Sequence, residues 1–429
     1  MTDKRLLVIS NECFSQTGSN GRTLMNLLAG FAPERVAQFY LHGNPDFGAC
    51  KNYYCVSDRD ALYAVKHFGR CRKDGHVKEE DASSVAPVVA SSAKKMKKDC
   101  RNRYLRHLVW RTQFWWNAAF DRFLDGFRPE VVLLQAGDAP FMYDIARKIA
   151  KKYGARLMMF NTENYVLKRV MYSGAKRYSP FHMLLKGALT RAYSRFMKQA
   201  DFCFYSTEYL EESYQKRYPH SGKSTTLYVT SAFEDCTGIL PETEHFSVVY
   251  CGNLGVGRAD ALDSFAKVLA LVDPAARLDV YGKFASEEDE KKLTAPENVN
   301  YHGFVAYENI PAILSAAHMV LHAESSARVE NLKGAFSTKI ADCLACGRPF
   351  LVYASREYPF VQYLEKNGAA HIASTEEELA HTLSACIASR EERSLHVAAA
   401  RALADERHNL IKNAEKMQAV INGLTNKDA

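Results

Sequence analysis

No run of apolar residues in this 429-residue chain approaches the ~20 needed to span a bilayer, so no segment is predicted to cross one. The N-terminus has no small-residue cleavage site and turns polar after Leu6–Ile9. It reads as a first strand, not a secretory signal. The eleven cysteines are odd in number and lack framework spacing, and reduced thiols in a cytosolic protein are the simplest reading. Cys343 and Cys346 form one C-x-x-C without a second pair, which fits small-residue packing on a helix. Cys50, Cys55, His67, Cys71 and His76 are irregularly spaced, so no metal site is predicted. The full dinucleotide fingerprint G-x-G-x-x-G is missing, as is any nucleic-acid recognition motif. There is no internal repeat beyond an alternation of strands and helices.

The composition, 47% apolar and 24% charged, is that of a globular chain of two or three domains. Its net charge of +7 hides an asymmetry. Residues 1–240 hold 37 Lys+Arg against 23 Asp+Glu, a balance of +14, and residues 241–429 hold 19 against 26, a balance of −7. Two domains facing different partners are expected. The basic half suits an anionic partner: a membrane surface, a phosphorylated lipid or nucleic acid.

Leu6–Ser10, a polar loop containing Gly18 and Gly21, a helix over 21–31 and strands at 36–42 and 53–57 open the chain as a Rossmann-type half. Residues 70–127 are predicted as a basic insertion. Its second part, 104–127, reads as one helix holding all three tryptophans, Trp110, Trp115 and Trp116. Two readings stand: a core helix with cations on its wet side, or an interfacial segment over anionic headgroups through 94–127. Strands at 130–135, 156–161 and 201–206 alternate with helices at 139–153, 180–199 and 207–217. Asp58 and Asp60 read as a solvated helix start. The aperiodic stretch 231–244 marks the domain boundary, giving domains of 1–235 and 236–429.

The second half alternates more regularly. Strands are predicted at 247–251, 277–281, 299–302, 319–323, 350–354 and 369–373, with helices between them and a wholly helical 375–423. Helix 336–346 begins at the carboxyl edge of this sheet, where open α/β sheets bind ligands. Ser337, Thr338, Lys339 and free backbone N–H groups in its first turn suit a phosphate. His302 and His322 sit on apolar strands and read as satisfied core histidines.

The motifs of this half carry a resemblance. Val248-Val-Tyr-Cys-Gly252-Asn253-Leu-Gly255 with Arg258, Leu278–Gly282, Val299–Gly303 followed by Phe304, and Ser337-Thr338-Lys339-Ile-Ala-Asp342-Cys-Leu-Ala-Cys-Gly347-Arg-Pro349 resemble the donor domain of family 4 retaining glycosyltransferases. The resemblance is good over roughly 245–375 and weak over 1–240. It implies a GT-B fold, two doubly wound Rossmann-like α/β domains facing a cleft. It also implies a metal-independent hexosyltransferase without cofactor, using a nucleotide sugar, above all a UDP-sugar, as substrate. The acceptor implied is a glycan or lipid-linked species of surface polysaccharide or glycoconjugate assembly. The enzyme would then be cytoplasmic, at the inner face of the cell membrane, with no nucleic-acid partner.

On this resemblance Gly252, Asn253, Gly255, Arg258, Gly282, Phe304, Glu324, Ser337, Thr338, Lys339 and Asp342 hold the donor, with Arg258 and Lys339 on the diphosphate and Asp342 on ribose. In the first half Gly18, Gly21, Asn161 and Glu163 face the acceptor, and Glu163 and Asp138 join Arg258 and Lys339 as catalytic candidates. The family pairs two glutamates eight positions apart, the second five before the glycine that is Gly347 here; in this chain the second is Asp342 and the first is Gly334. A nucleotide-sugar epimerase or hydrolase of the same fold is the rival enzyme. A non-catalytic or anionic-polymer-binding protein is the rival from another class.

Overall fold

The computed structural model describes residues 3–16, 18–80, 99–171, 177–219, 222–233 and 244–424. The chain forms two compact units, Met1–Tyr228 with Asn413–Ala429, and Val229–Lys412. The division falls at Tyr228/Val229, ahead of the aperiodic stretch. Each unit is α/β with its own sheet.

The first unit holds strands β1 (Leu6–Ile9), β2 (Val36–Tyr40), β3 (Asn52–Cys55), β4 (His76–Val77), β5 (Val131–Gln135), β6 (Arg156–Asn161), β7 (Phe202–Tyr205) and β8 (Lys223–Thr226). Their order is β4-β3-β2-β1-β5-β6-β7-β8. All neighbours run parallel except β3 and β4. The apolar runs of β1, β2, β5 and β7 are buried along their whole length, as expected for strands covered on both faces. The order reverses between β1 and β5, which makes a switch point at their carboxyl ends. β4 and β8 are short and lie at the sheet's edges; neither was legible as a strand. Met417 and Ile421 of the C-terminal helix Leu410–Gly423 are buried in the same core cluster as Leu24, Leu27 and Phe31.

The tryptophan-rich segment differs from the single helix expected. Cys100–Arg111 and Ala118–Phe127 are separate helices. Gln113 takes a left-handed φ of 60°, and Asn117 caps the second helix by accepting from the Phe120 N–H. The hydrophobic period runs across this break because both sides pack on one core. Trp110 and Trp115 are 1% exposed. Trp110 stacks on Phe141 with centroids 4.6 Å apart and donates its indole N–H to Asp58 at 2.7 Å. For these two residues the core reading is the correct one. The same Asp58 opens helix Asp58–Lys66, where Ser57 and Asp60 form a reciprocal capping box.

The second unit holds β9 (Ser247–Cys251), β10 (Arg277–Tyr281), β11 (Val299–Gly303), β12 (Met319–Ala323), β13 (Phe350–Tyr353) and β14 (His371–Ala373). They form an all-parallel sheet ordered β11-β10-β9-β12-β13-β14. This is the doubly wound order again, with the switch point between β9 and β12. The expected helical stretch 375–423 is broken into Glu376–Ala388, Arg390–Ser394, Val397–Arg407 and Leu410–Gly423. Ser389 and Asn409 supply the first and last of the three breaks, each with a side-chain oxygen accepting from backbone N–H ahead of it.

Replacing Trp110 by Ala removes a fully packed ring and leaves Asp58 without its indole donor. Chemical denaturation is expected to show a loss of about 3–5 kcal/mol. A loss below about 1 kcal/mol would show that the ring is not part of the core.

Candidate functional site

The second unit's site begins with a gap in its sheet. β9 pairs with β10 at five positions, but with β12 only at Met319/Val248 and Val320/Val249. Beyond Val249 the two central strands part, and a crevice opens at the switch point.

Glycines line the strand ends there. Gly252 follows β9 with φ 152°, and a Cβ on it would lie 2.4 Å from Lys339 Cδ and 2.8 Å from its Nζ. Gly282 follows β10, and a Cβ there would lie 1.9 Å from the Gly252 carbonyl oxygen. The backbones interlock: Gly252 N–H donates to Tyr281 O and Gly282 N–H to Gly303 O, each at 2.8 Å. Any side chain at 252 or 282 would push this edge apart, so glycine is required for packing as well as for conformation. The loop continues with Asn253 Oδ1 accepting from Gly255 N–H at 2.7 Å. Val256 then takes a left-handed φ of 64°. A β-branched residue pays for that conformation in strain, which concentrates at ligand-clamping loops.

Arg258 opens the helix after this loop. Its Nε and Nη2 donate to Glu324 Oε1 at 2.8 and 2.6 Å. The side chains are 14% and 5% exposed. Burial works against the Arg258 cation, but Glu324 outweighs it and raises its pKa. His322 Nε2 lies 3.5 Å from the same carboxylate oxygen. Neither ring nitrogen of His322, nor Glu324 Oε2, has a hydrogen-bond partner. Burial, then the charges of Lys339 and Arg258, hold His322 well below the usual histidine range, so it is neutral. His322 is a core histidine, as expected, but it is not a satisfied one.

Lys339 enters from the opposite side, on helix Thr338–Ala345. Its Nζ donates to Tyr250 Oη at 2.5 Å and lies 4.2 Å from the Tyr250 ring centroid. Burial first, then the charge of Arg258, lowers its pKa to about 7. Among the described residues no carboxylate forms an ion pair with it. Ser337 is the N-cap but makes no side-chain cap bond, and the first turn holds no acid. This helix start therefore keeps unpaired N–H groups and an uncompensated dipole end, both favouring an anion.

The other donor candidates are placed differently. Asp342 is 5% exposed, and its Oδ1 accepts from Ser231 Oγ at 2.7 Å and Tyr307 Oη at 2.8 Å. It ties two other segments to the helix. Phe304 is exposed, with Lys283 Nζ 4.1 Å from its ring centroid. His302 is not the core residue expected: on the edge strand β11 it stacks on Tyr281 and bonds Asp279 at 2.7 Å. Sequence reasoning missed Tyr250, Ser231 and Tyr307. Only Tyr250 carried a signal, since strand alternation puts it on the face of Gly252.

In the first unit, Asp138 follows β5 and pairs with Arg103. Glu163 follows β6 and pairs with Lys168 at 2.7 Å. Asn161 is buried, and its side chain donates to Tyr193 Oη at 3.4 Å. Gly18 caps helix Ser19–Leu27. Gly21 is held against the backbone, since a Cβ would lie 2.3 Å from Cys13 O.

Residues 260–419 match the family described as Glycosyl transferase-like. No curated protein matches the sequence at a significant level. Solved structures resemble the whole chain at low identity. Sucrose-phosphate synthase from Thermosynechococcus elongatus has a TM-score of 0.64 at 12% identity, covering 98% of each chain. Anabaena Alr3699/HepE in complex with UDP and glucose has a TM-score of 0.61 at 12% identity, covering 98% of this chain and all of that one. WaaG, a glycosyltransferase involved in lipopolysaccharide biosynthesis, has a TM-score of 0.55 at 14% identity, with 98% of this chain covered. Such identities establish the fold alone: the two Rossmann-like units have the GT-B fold.

Arg258→Ala leaves Glu324 buried and unpaired, so it is expected to destabilise the protein by about 3 kcal/mol. The double variant with Glu324→Gln should recover most of that loss in urea unfolding. Equal losses in the single and double variants would rule out the ion pair as the cause.

Proposed function

We propose that the chain transfers a sugar from a nucleotide diphosphate sugar to a glycan or lipid-linked acceptor, with the donor held by the second unit. One observation carries this reading. Lys339 and Arg258 converge on a glycine-lined strand end beside an uncapped helix start, and among the described residues only Glu324 forms an ion pair there. A diphosphate supplies the missing negative charge. As the glycosidic bond breaks, the leaving diphosphate gains charge, and fixed donors aimed at it lower the barrier with little reorganisation. Arg258 offers a planar fork and Lys339 a point charge. Gly252 lets the Lys339 stem reach this strand end, since a Cβ there would lie 2.4 Å from its Cδ. UDP is the proposed nucleotide, supported by the HepE complex with UDP and glucose.

The reading extends to retention of anomeric configuration, with the leaving phosphate helping to take the acceptor proton. It also includes neutralisation by these side chains in place of a metal. Asp138 and Glu163 belong to the acceptor side. Each carboxylate is held by a cation and keeps lone pairs to accept from a sugar hydroxyl. The setting proposed is assembly of surface polysaccharide or glycoconjugate at the inner membrane face.

Calorimetry with UDP tests the donor site. Lys339→Ala is expected to weaken binding at least about tenfold, or ~1.4 kcal/mol, with the fold intact by circular dichroism. Undiminished affinity would remove Lys339 from the site. Product analysis tests the reaction: sugar transferred with retention, in chelator, supports it. Free sugar or an epimer formed without acceptor would instead favour the hydrolase or epimerase, and no product at all would favour the non-catalytic reading, which Gly334 in place of a family carboxylate would suit.

The lowered pKa of Lys339 sets a pH dependence. A bound diphosphate stabilises the charged amine, so binding above about pH 7 must take up a proton. Affinity should be highest below that value and fall as pH rises through it. Calorimetry at pH ~8 in buffers of different ionisation enthalpy should show this uptake in the wild type and not in Lys339→Met.

A further inference from the structure

A cationic cluster lies on the first unit, lined by residues not discussed above. Helices Cys100–Arg111, Pro140–Tyr153 and Pro180–Met197 enclose a cavity of about 330 Å³ lined by His107, Arg111, Asp144, Ala188, Arg191 and Arg195. Asp144 is already engaged: its carboxylate accepts from Arg195 Nη2 at 2.9 and 3.0 Å and from Arg147 Nη1 at 3.2 Å. Among the described residues Arg111 and Arg191 have no acidic partner. Gly187 lies one turn before Arg191, and a Cβ there would sit 3.3 Å from Arg191 Nη1. The missing side chain lets the guanidinium lie along the helix.

His107 is the decisive member. It is 7% exposed, and among the described residues its Nδ1 has no hydrogen-bond partner. A buried polar atom left unpaired costs free energy and calls for an explanation. Burial, then the charge of Arg111, lowers its pKa, and Asp144 acts against them. A neutral imidazole can donate from Nδ1 or accept there. Four arginines around one aspartate make an accepted cation unfavourable and an anion favourable. Planar guanidinium forks match phosphate oxygens.

The surroundings are apolar. Leu105, Leu108, Phe181, Met183 and Leu184 are between 36% and 55% exposed on two of the same helices. Tyr104 and Phe181 bring those helices together, with ring centroids 6.3 Å apart. Exposed apolar side chains on the helices that line a cationic pocket suit a phosphorylated amphiphile.

We propose that His107, Arg111, Arg191 and Arg195 form a phosphate-binding site, and that the exposed leucines, Met183 and Phe181 beside it select a phosphate carried on a lipid. The site is independent of the glycosyl-transfer reading. It also places the first unit's anionic contact on the faces of two helices and not on the tryptophans.

The test uses the full chain. Flotation with phosphatidylglycerol vesicles is compared with phosphatidylcholine vesicles, and inorganic phosphate is titrated by calorimetry. Binding to the anionic vesicles alone is expected, with phosphate competing at millimolar concentration. Arg111→Ser with Arg191→Ser should lose at least tenfold in both assays, whereas Lys216→Ser with Arg217→Ser, an equal charge change on helix Glu208–Arg217, should not. Both altered arginines are exposed, and circular dichroism verifies folding. A shift of the His107 ring resonances on adding phosphate to the wild type provides a readout without mutation. Phosphate binding without vesicle binding would keep the site and assign it to a soluble phosphate ester. Failure of both probes to bind, or binding unchanged in the double variant, would overturn the proposal.

Discussion

The contact between Gly252 and Lys339 governs the second unit's site. With hydrogen in place of a side chain at 252, the Lys339 stem lies against the end of β9, where a Cβ would be 2.4 Å from Cδ. The ammonium is thereby delivered to Tyr250, on a strand that has already parted from β12. The same close packing lowers the lysine's pKa. Geometry and electrostatics therefore have one cause: a glycine that lets a cation into a crowded place.

A second group shares the crevice and completes its charge balance. Arg258 and Glu324 neutralise each other, and His322 is held neutral beside them. A buried pair of this kind adds little net stability, because desolvation offsets the attraction. Its value is orientation. One carboxylate oxygen takes both guanidinium contacts while Oε2 is left without a partner. The Arg258 guanidinium is thereby fixed in place.

The second unit was the more legible in sequence because its strands and helices alternate at short intervals with glycine stops. β9, β10 and β12 have the expected ends. Gly252, Arg258 and Lys339 could be singled out because glycine and cations at strand and helix ends have a distinct physical use. The partners of Asp342 could not. Ser231 lies outside the sheet's rhythm, and its bond to a residue 111 positions away has no local signal. The break at Gln113 was hidden because a left-handed turn there uses no glycine and the apolar period continues beyond it. β8, Lys223-Ser-Thr-Thr226, is polar throughout, and its pairing with β7 is supplied by the fold, not by propensity.

The return of the C-terminal helix to the first unit has a consequence for synthesis. Val229–Lys412 is one continuous segment and can close its core as soon as it leaves the ribosome. The first unit begins earlier in the chain, yet the cluster around Leu24 and Phe31 lacks Met417 and Ile421 until the second unit has been made. The order of completion is thus the reverse of the order of synthesis. Until then the older unit waits with an open apolar surface, and the interval is set by the time needed to make the younger one.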